Sequence, residues 1–313
     1  MKTYLFQGTI TLLSSLSHIG ETHGINSLFH REKFVTADGN IKDIPTVTGN
    51  GLRGLLRDRG MMHLIKMLGY GDGKGLGLES FYFLFSGGSL SSKGGSGKID
   101  VDTARRWREL IPLVSLFGGA MGNQIMPGKM SVGKGIPICS ELSHVVPEQF
   151  LNGHTTSVRT MMQFEPYTRR DDAKNDNMRY LIDNKVLNLL DDKQRGTNRF
   201  DAIEETGQKQ QMRYFVETMA AGSKLFWEIT LQDVTDVEFD AFAVTLAQFG
   251  KYPFIGGKSN VGHGKVRIEF ENWIELNTNM ERHGKEVGLP LGQHYLQHIE
   301  KNADEIRRLI GEL

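Results

Sequence analysis

The chain has 313 residues, and its 37 Lys and Arg balance 37 Asp and Glu, so the formal net charge is zero. That length buries a sizeable core in one large or two small domains without disulfide staples, and the single cysteine, Cys139, excludes an internal bridge and any Cys-based zinc knuckle. Zero net charge also excludes a protein that is basic all over, so a nucleic-acid role would need charge segregated onto one surface.

Glycine is abundant, with 37 residues, about 12% where about 7% is usual. The glycines cluster at 69–77, 86–98, 118–135 and 256–264, between apolar segments. This pattern describes a globular chain with irregular insertions. The first run, MKTYLFQGTITLL, alternates apolar residues with Gln and Thr, so it reads as a strand and not as a signal peptide. No stretch approaches a membrane span, and the expected location is the cytoplasm.

In chain order, residues 3–13 form a half-buried strand with Tyr4, Phe6, Ile10 and Leu12 on one face. A polar stretch with His18, His23 and His30 follows. Ile44-Pro45 then leads to Thr48, a good N-cap, and a helix over 49–68 whose apolar face is Leu52, Leu55, Leu56, Met62 and Ile65. Arg53 and Arg57 lie one turn apart and share a side of that helix. Residues 69–110 are a Gly/Ser-rich insertion ending in a basic helical piece, DTARRWREL.

The segment from Leu113 to Ile138 reads as a small-residue turn and a short strand, with Cys139 as a small apolar core residue. Strands are expected at 156–163, 212–218 and 223–231, the last burying Leu225, Trp227, Ile229 and Leu231. A polar excursion fills the space between Gln163 and Gln211. Thr235 and Glu238 make a capping box for a helix over 236–249, ended by Gly250, and Lys265–Phe270 is the last strand. The helical tail 296–313 carries a narrow stripe, Ile299, Ala303, Ile306 and Ile310, expected to pack on its own domain. No internal repeat is present. Stripped of insertions, the order is strand, helix, strands, helix, strand: an α+β domain of the split βαβ, ferredoxin-like pattern.

Gly-Gly-Lys-Ser at 256–259 fails as a P-loop, because Tyr252 stands where that motif needs glycine and the loop runs from helix to strand. What this loop offers is consecutive backbone N–H groups with Lys258, Ser259, Asn260 and His263, suited to a phosphate backbone. The bland reading is a long surface turn. The spacing of His18, His23, His30, Glu21 and Glu32 matches no common zinc site, and no nucleophile elbow is present, so no metal and no cofactor is expected. Charge is uneven along the chain. Residues 45–134 hold twelve Lys/Arg against six acids, 251–267 hold four bases and no acid, and 225–240 hold five acids and no base. The basic segments are a footprint for phosphate contacts. The acidic segment 233–240 is expected to form a surface that meets the basic track of a second copy.

Several stretches together resemble one family, the RAMP superfamily of CRISPR-associated proteins, in particular the repeated backbone subunit that lines the guide RNA. They are the first strand with SSLSHIGE, IPTVTGNGLRGLLR, SLFGGAM with GKMSVGKGIPI, VETMAAGSKLFWEITL, and PFIGGKSNVGHGKVRI. By overall pattern the chain looks most like a type IV subunit, with type III and type I-D relatives as alternatives. The resemblance implies a single domain over 1–313: a modified ferredoxin-like (RRM-like) palm, finger-like insertions at 20–43 and 68–110, a thumb-like hairpin insertion at 164–210 and a helical extension at 271–313.

It also implies that copies stack along a CRISPR guide RNA as a filament, with other effector subunits, and present it to complementary DNA or RNA. Carried over by position, Thr48, Asn50, Arg53 and Arg57 would hold guide phosphates from the first helix. Lys258, Ser259, Asn260 and His263 would do so from the glycine loop, and Arg169 and Arg170 lie near the thumb's start. The helix start departs from the family's usual two serines and a lysine, so backbone N–H groups must replace some hydroxyl contacts. Members that cut target RNA carry an Asp between first strand and first helix. Here His30 and Arg31 stand in that region, which implies a non-catalytic scaffold. The rival reading is a metal-dependent target endonuclease using Glu32 or Asp38.

Overall fold

A computed structural model describes residues 1–71, 73–88, 101–121, 124–151, 156–169, 212–276, 282–284 and 292–313. Most of the 164–210 excursion and part of 68–110 lie outside these residues.

The molecule is organised around strand β1 (Lys2–Leu12). On one side β1 pairs antiparallel with β12 (Lys224–Val234), and on the other with β13 (Val266–Glu275). Two short strands, β8 (Met130–Val132) and β9 (Ile136–Pro137), continue beyond β12, and β14 (Arg282–Gly284) continues beyond β13. Every pairing in this sheet is antiparallel. The alternation read in the sequence sets the faces: Tyr4, Phe6, Ile10 and Leu12 are buried beside Leu225, Trp227, Ile229 and Leu231. Gly8 is required by a close approach. A Cβ there would stand 2.1 Å from the Glu269 carbonyl oxygen, where the register between β1 and β13 shifts.

Helices cover one face. The first, α1 (Gly49–Met67), packs against α7 (Asp236–Lys251), and aromatic rings join helix to sheet: Phe6 to Phe242 at 4.9 Å and Tyr4 to Phe239 at 4.4 Å between centroids. The capping box is formed, with Thr235 accepting from the Glu238 N–H and the Glu238 carboxylate accepting from the Thr235 N–H. The last helix, α8 (Gln293–Gly311), lies on α7, α3 and α1 with Tyr295, Ile299, Ile306, Leu309 and Ile310 buried. It thus packs on its own domain.

Around α1 sit the short α2 (Leu78–Phe81), which runs into a π-type turn over Tyr82–Ser86, α3 (Val101–Leu110) and α4 (Pro112–Phe117). A two-stranded ladder of β6 (Gly119–Met121) and β7 (Gln124–Met126) follows α4. A second sheet has the order β10-β11-β3-β2, from β10 (Met162–Arg169), β11 (Met212–Met219), β3 (Asn26–Phe29) and β2 (Ile19–His23). The strands β4 (Arg31–Val35) and β5 (Ile41–Pro45) form a separate hairpin. Single helical turns, α5 (Glu148–Leu151) and α6 (Val158–Met161), precede β10.

Several expectations are corrected. The buried face of α1 is Leu52, Leu56, Arg57, Gly60, Met61 and Leu64, and Met62 is 40% exposed. Gly60 explains part of the rotation: a Cβ there would meet the Thr245 hydroxyl at 2.7 Å, so α7 packs where no side chain stands. Residues 112–117 are helical, started by Pro112 in the first turn. The strand expected at 156–163 begins only at Met162, after the turn of α6, and α7 runs through Gly250 to Lys251. Cys139 is buried, but as the residue before a 3-10 turn, Ser140–Leu142, and burial pushes its thiol up to about 12. Within the acidic segment, Glu238 is held by Lys129 at 2.8 Å and Asp240 by His294 at 2.9 Å. Both are buried, so they contribute no acidic surface.

Candidate nucleic-acid interface

The two elements expected to face phosphates, the start of α1 and the glycine-rich loop, are far apart in sequence. One five-residue stretch, Ser14–His18 at the end of β1, holds both. The Ser17 carbonyl accepts from the Gly257 N–H at 2.7 Å, the Ser15 carbonyl from the Gly264 N–H at 2.8 Å, and the Ser14 hydroxyl from the Lys265 N–H at 2.9 Å. Leu16 exchanges both backbone hydrogen bonds with Met219 of β11. His18 then reaches α1, its Nε2 accepting from the Thr48 N–H at 3.2 Å. Burial lowers the pKa of the His18 ring, and His30 beside it lowers it further, so the neutral ring is the form that can accept. His23 pairs instead with Glu21, and His30 with Glu32.

Thr48 caps α1, its hydroxyl accepting from the Gly51 N–H at 3.2 Å. The first turn, Gly49-Asn50-Gly51, carries no acid, and Asn50 is exposed. The helix therefore presents its positive end to solvent without a carboxylate neutralising it. Arg53 and Arg57 share a side of α1 as read, but both turn to the protein's own backbone. Arg53 donates to the Phe117 carbonyl. Arg57 is 4% exposed, donates to Phe117 at 2.7 Å and Gly118 at 2.8 Å, and lies 5.4 Å over the Phe117 ring. Burial first, and then the Arg53 charge, lower the Arg57 guanidinium to about 10. The expectation that Arg57 touches phosphate is corrected: its guanidinium lies inside, fixing the Leu-Phe-Gly turn.

In the glycine loop, Lys258 has φ +60, a conformation costly for a residue with a side chain, and Ser259–Val261 form a single 3-10 turn. The Lys258 ammonium lies 5.2 Å from the ring of Tyr167 and 5.1 Å from that of Tyr214, which face each other across β10 and β11 with centroids 5.2 Å apart. It has no carboxylate partner among the described residues. His263 is the second correction. It is 2% exposed, its Nδ1 is 3.0 Å from the Ser15 hydroxyl, its Nε2 meets the Tyr167 hydroxyl, and Glu165 lies 3.7 Å away. It is an internal strut that holds the loop against the base of β10.

Ser259 is half-buried and Asn260 exposed beside Lys258. Arg169 ends β10 opposite Met212, and Arg170 lies outside the described residues. Ser15, His18, Tyr167 and Tyr214 were not singled out as site residues in the sequence. The alternation in MRYFVET marks Tyr214 as a strand residue, but only pairing with β10 shows what its ring meets. The carboxylates of the rival reading stand apart. Glu32 pairs with Lys134 and His30, while Asp38, at the tip of the β4–β5 hairpin, accepts from Thr36 and Asn40, which hold it at about 2.

Fold and site together define an α+β protein that places a bare helix start, a glycine-rich loop and an ordered lysine at the end of the central strand β1. The sequence profile of the RAMP superfamily matches residues 9–267, and the chain belongs to that superfamily. No curated protein matches. Among solved structures, a chain of a "Type IV-B CRISPR Complex" is similar, at 21% identity, covering 89% of this chain and 92% of that one with a TM-score of 0.56. At that identity the likeness is one of fold. No helix among the described residues is long and apolar enough to cross a membrane.

Proposed function

We propose that the chain is a non-catalytic scaffold of a CRISPR effector complex, which coats a guide RNA as a filament of stacked copies and presents it for pairing with invading nucleic acid. The observation that carries this reading is the Ser14–His18 stretch, which fixes the helix start and the glycine loop side by side within a RAMP superfamily chain. Membership in that superfamily and the fold likeness to a chain of a type IV-B complex support the partners: guide RNA, complementary DNA or RNA, further copies and other effector subunits. The order β13-β1-β12-β8, with α1 and α7 on one face, supports a modified ferredoxin-like palm. The hairpins over 19–45 are then finger-like, and β10 and β11 are the root of a thumb.

The contacts we assign to phosphates are the N–H groups at Gly49 and Asn50 under the Thr48 cap, the Asn50 side chain, Lys258, Ser259 and Asn260, with Arg53 at their margin. Arg169 and Arg170 would extend this track into the thumb. Arg57 and His263 position it from behind. Such contacts hold an RNA backbone without reading its sequence, which base pairing then supplies. Because Glu32 and Asp38 each have local partners and lie apart, a non-cleaving role is favoured over the endonuclease.

The test is purification of the full chain from cells that express the guide, followed by nuclease treatment. RNA protected in regular length increments is expected. A chain that arrives free of nucleic acid overturns the proposal, and regularly spaced cuts in complementary RNA with Mg²⁺, abolished by Asp38→Ala, would establish the rival.

A further inference from the structure

A second basic surface lies away from the candidate guide track. Arg59, His63 and Lys66 recur at i, i+4 and i+7, so they line one stripe of α1, on a different face from Arg53 and Arg57. Burial opposes protonation of the His63 ring, and Lys251, the last residue of α7, lies close enough for its charge, with that of Lys66, to oppose it further. The chain then turns through Tyr252 and Phe254, whose rings are tilted by 31° with centroids 4.4 Å apart, and the Arg59 guanidinium lies 5.0 Å over Tyr252. Tyr252 is 44% exposed. Among the described residues none of Arg59, Lys66 and Lys251 has a carboxylate within ion-pair distance; Asp58 is the acid beside Arg59 in the helix.

Three cations gathered without partners repel one another, and ordinary surfaces intersperse the signs to avoid this. A surface that keeps such a cluster raises the local potential for an anion. The Arg59 guanidinium over the exposed Tyr252 ring adds a second demand, because a planar cation beside an exposed aromatic ring suits a flat ring from a ligand. A single nucleic-acid strand meets both demands, with phosphates for Lys66 and Lys251 and a base for Arg59. An acidic protein helix would meet only the first.

We propose that Arg59, Lys66, Lys251 and Tyr252 form a second nucleic-acid-binding surface that takes a single strand other than the guide. Only the words "other than the guide" rest on the function proposed above. The experiment uses the full chain with whatever RNA it carries and a fluorescent oligo(dT) of about 20 nucleotides, unrelated to the guide. Replacing the cations together (Arg59→Glu, Lys66→Glu, Lys251→Glu) should weaken oligonucleotide binding by about ten-fold or more and lower its salt slope by about 1.4, two phosphate contacts at roughly 0.7 each. Thermal stability and RNA content should stay at wild-type values. Arg59→Lys, which keeps the charge and removes the plane, should weaken binding a few-fold.

Unchanged affinity in the triple variant overturns the proposal, as does a polyglutamate peptide that displaces the oligonucleotide as well as oligo(dT) does. Loss of copurified RNA from the triple variant overturns the separation of the two surfaces. A wild-type chain that arrives without RNA defeats the guide reading instead. The oligonucleotide comparison is still made on that chain and still decides this surface.

Discussion

Lys258 combines a strained backbone with an ammonium that two tyrosine rings hold in place. The strain is about 1–2 kcal/mol for a residue with a Cβ, so two substitutions separate backbone from charge. Lys258→Gly relieves the strain and is expected to keep or slightly raise the melting temperature, whereas Lys258→Ala keeps the strain. Both should weaken RNA binding alike on unrelated sequences and lower the salt slope by about 0.7, one phosphate on a single strand. Equal salt slopes in wild type and both variants would remove Lys258 from the interface. Arg57 belongs to the opposite kind. Arg57→Ala deletes two hydrogen bonds from a buried cation to carbonyls, each worth about 1.5–3 kcal/mol, partly offset by no longer burying the charge. We expect a loss of about 2 kcal/mol in urea unfolding, with the salt slope of RNA binding unchanged.

The glycine-rich loop depends on Gly264, which has φ +79 and whose Cβ would stand 2.0 Å from the Ile255 carbonyl oxygen. Gly264→Ala should therefore open the loop and reduce RNA affinity more than Lys258→Ala does, because several contacts move together; binding titrations of the two variants compare them. The Ser140–Leu142 turn supplies a pH-dependent contact. Burial alone would raise the Glu141 carboxyl, but hydrogen bonds from the Ser157 hydroxyl at 2.6 Å and the Val158 N–H at 3.0 Å outweigh it and hold the group at about 2. A carboxyl depressed on folding stabilises fully above its unfolded value near 4.5 and loses that stabilisation as pH falls through about 2. Urea midpoints of wild type and Glu141→Gln should converge across that interval, and a constant gap would show that the carboxylate is not the source.

Elements with a strong period or a capping signal were legible in the sequence: β1, β12, the Thr235 box and the tail helix all show the faces their residues imply. The face of α1 was not, since Gly60 lets α7 and α4 approach where a periodicity argument places solvent. For the same reason the site was half legible. Spacing put Arg53 and Arg57 on one side and Lys258 in its loop, but no spacing tells a phosphate-facing Arg from one facing a carbonyl. The burial of His263 follows from Ser15 and Tyr167, 248 and 96 positions away.

At the scale of the whole molecule, zero net charge conceals an unequal use of charge. Two of the five acids in the 225–240 segment work inside the fold, Glu238 on Lys129 and Asp240 on His294, while Asp233 and Asp236 are exposed; Lys258, Arg59, Lys66 and Lys251 have no carboxylate partner among the described residues. The proposed basic track is therefore not balanced by an acidic patch at Glu238 and Asp240; in this segment only Asp233 and Asp236 stay exposed to meet a second copy. Glu238→Gln is accordingly expected to lower stability through loss of the Lys129 ion pair, the capping box being kept because an amide oxygen also accepts from the Thr235 N–H, and to leave any filament length unchanged in electron micrographs.

The Ser14–His18 stretch also has a temporal consequence. It joins the first strand to a loop about 240 positions later, so the proposed phosphate track is made almost entirely of contacts remote in sequence, the kind that form late in folding. A chain still on the ribosome has synthesised α1 early but has nothing opposite Ser15 and Ser17 until residues 257–265 emerge. If the proposed function holds, the chain grips RNA only once it is nearly whole, and an unfinished chain offers passing transcripts no completed groove.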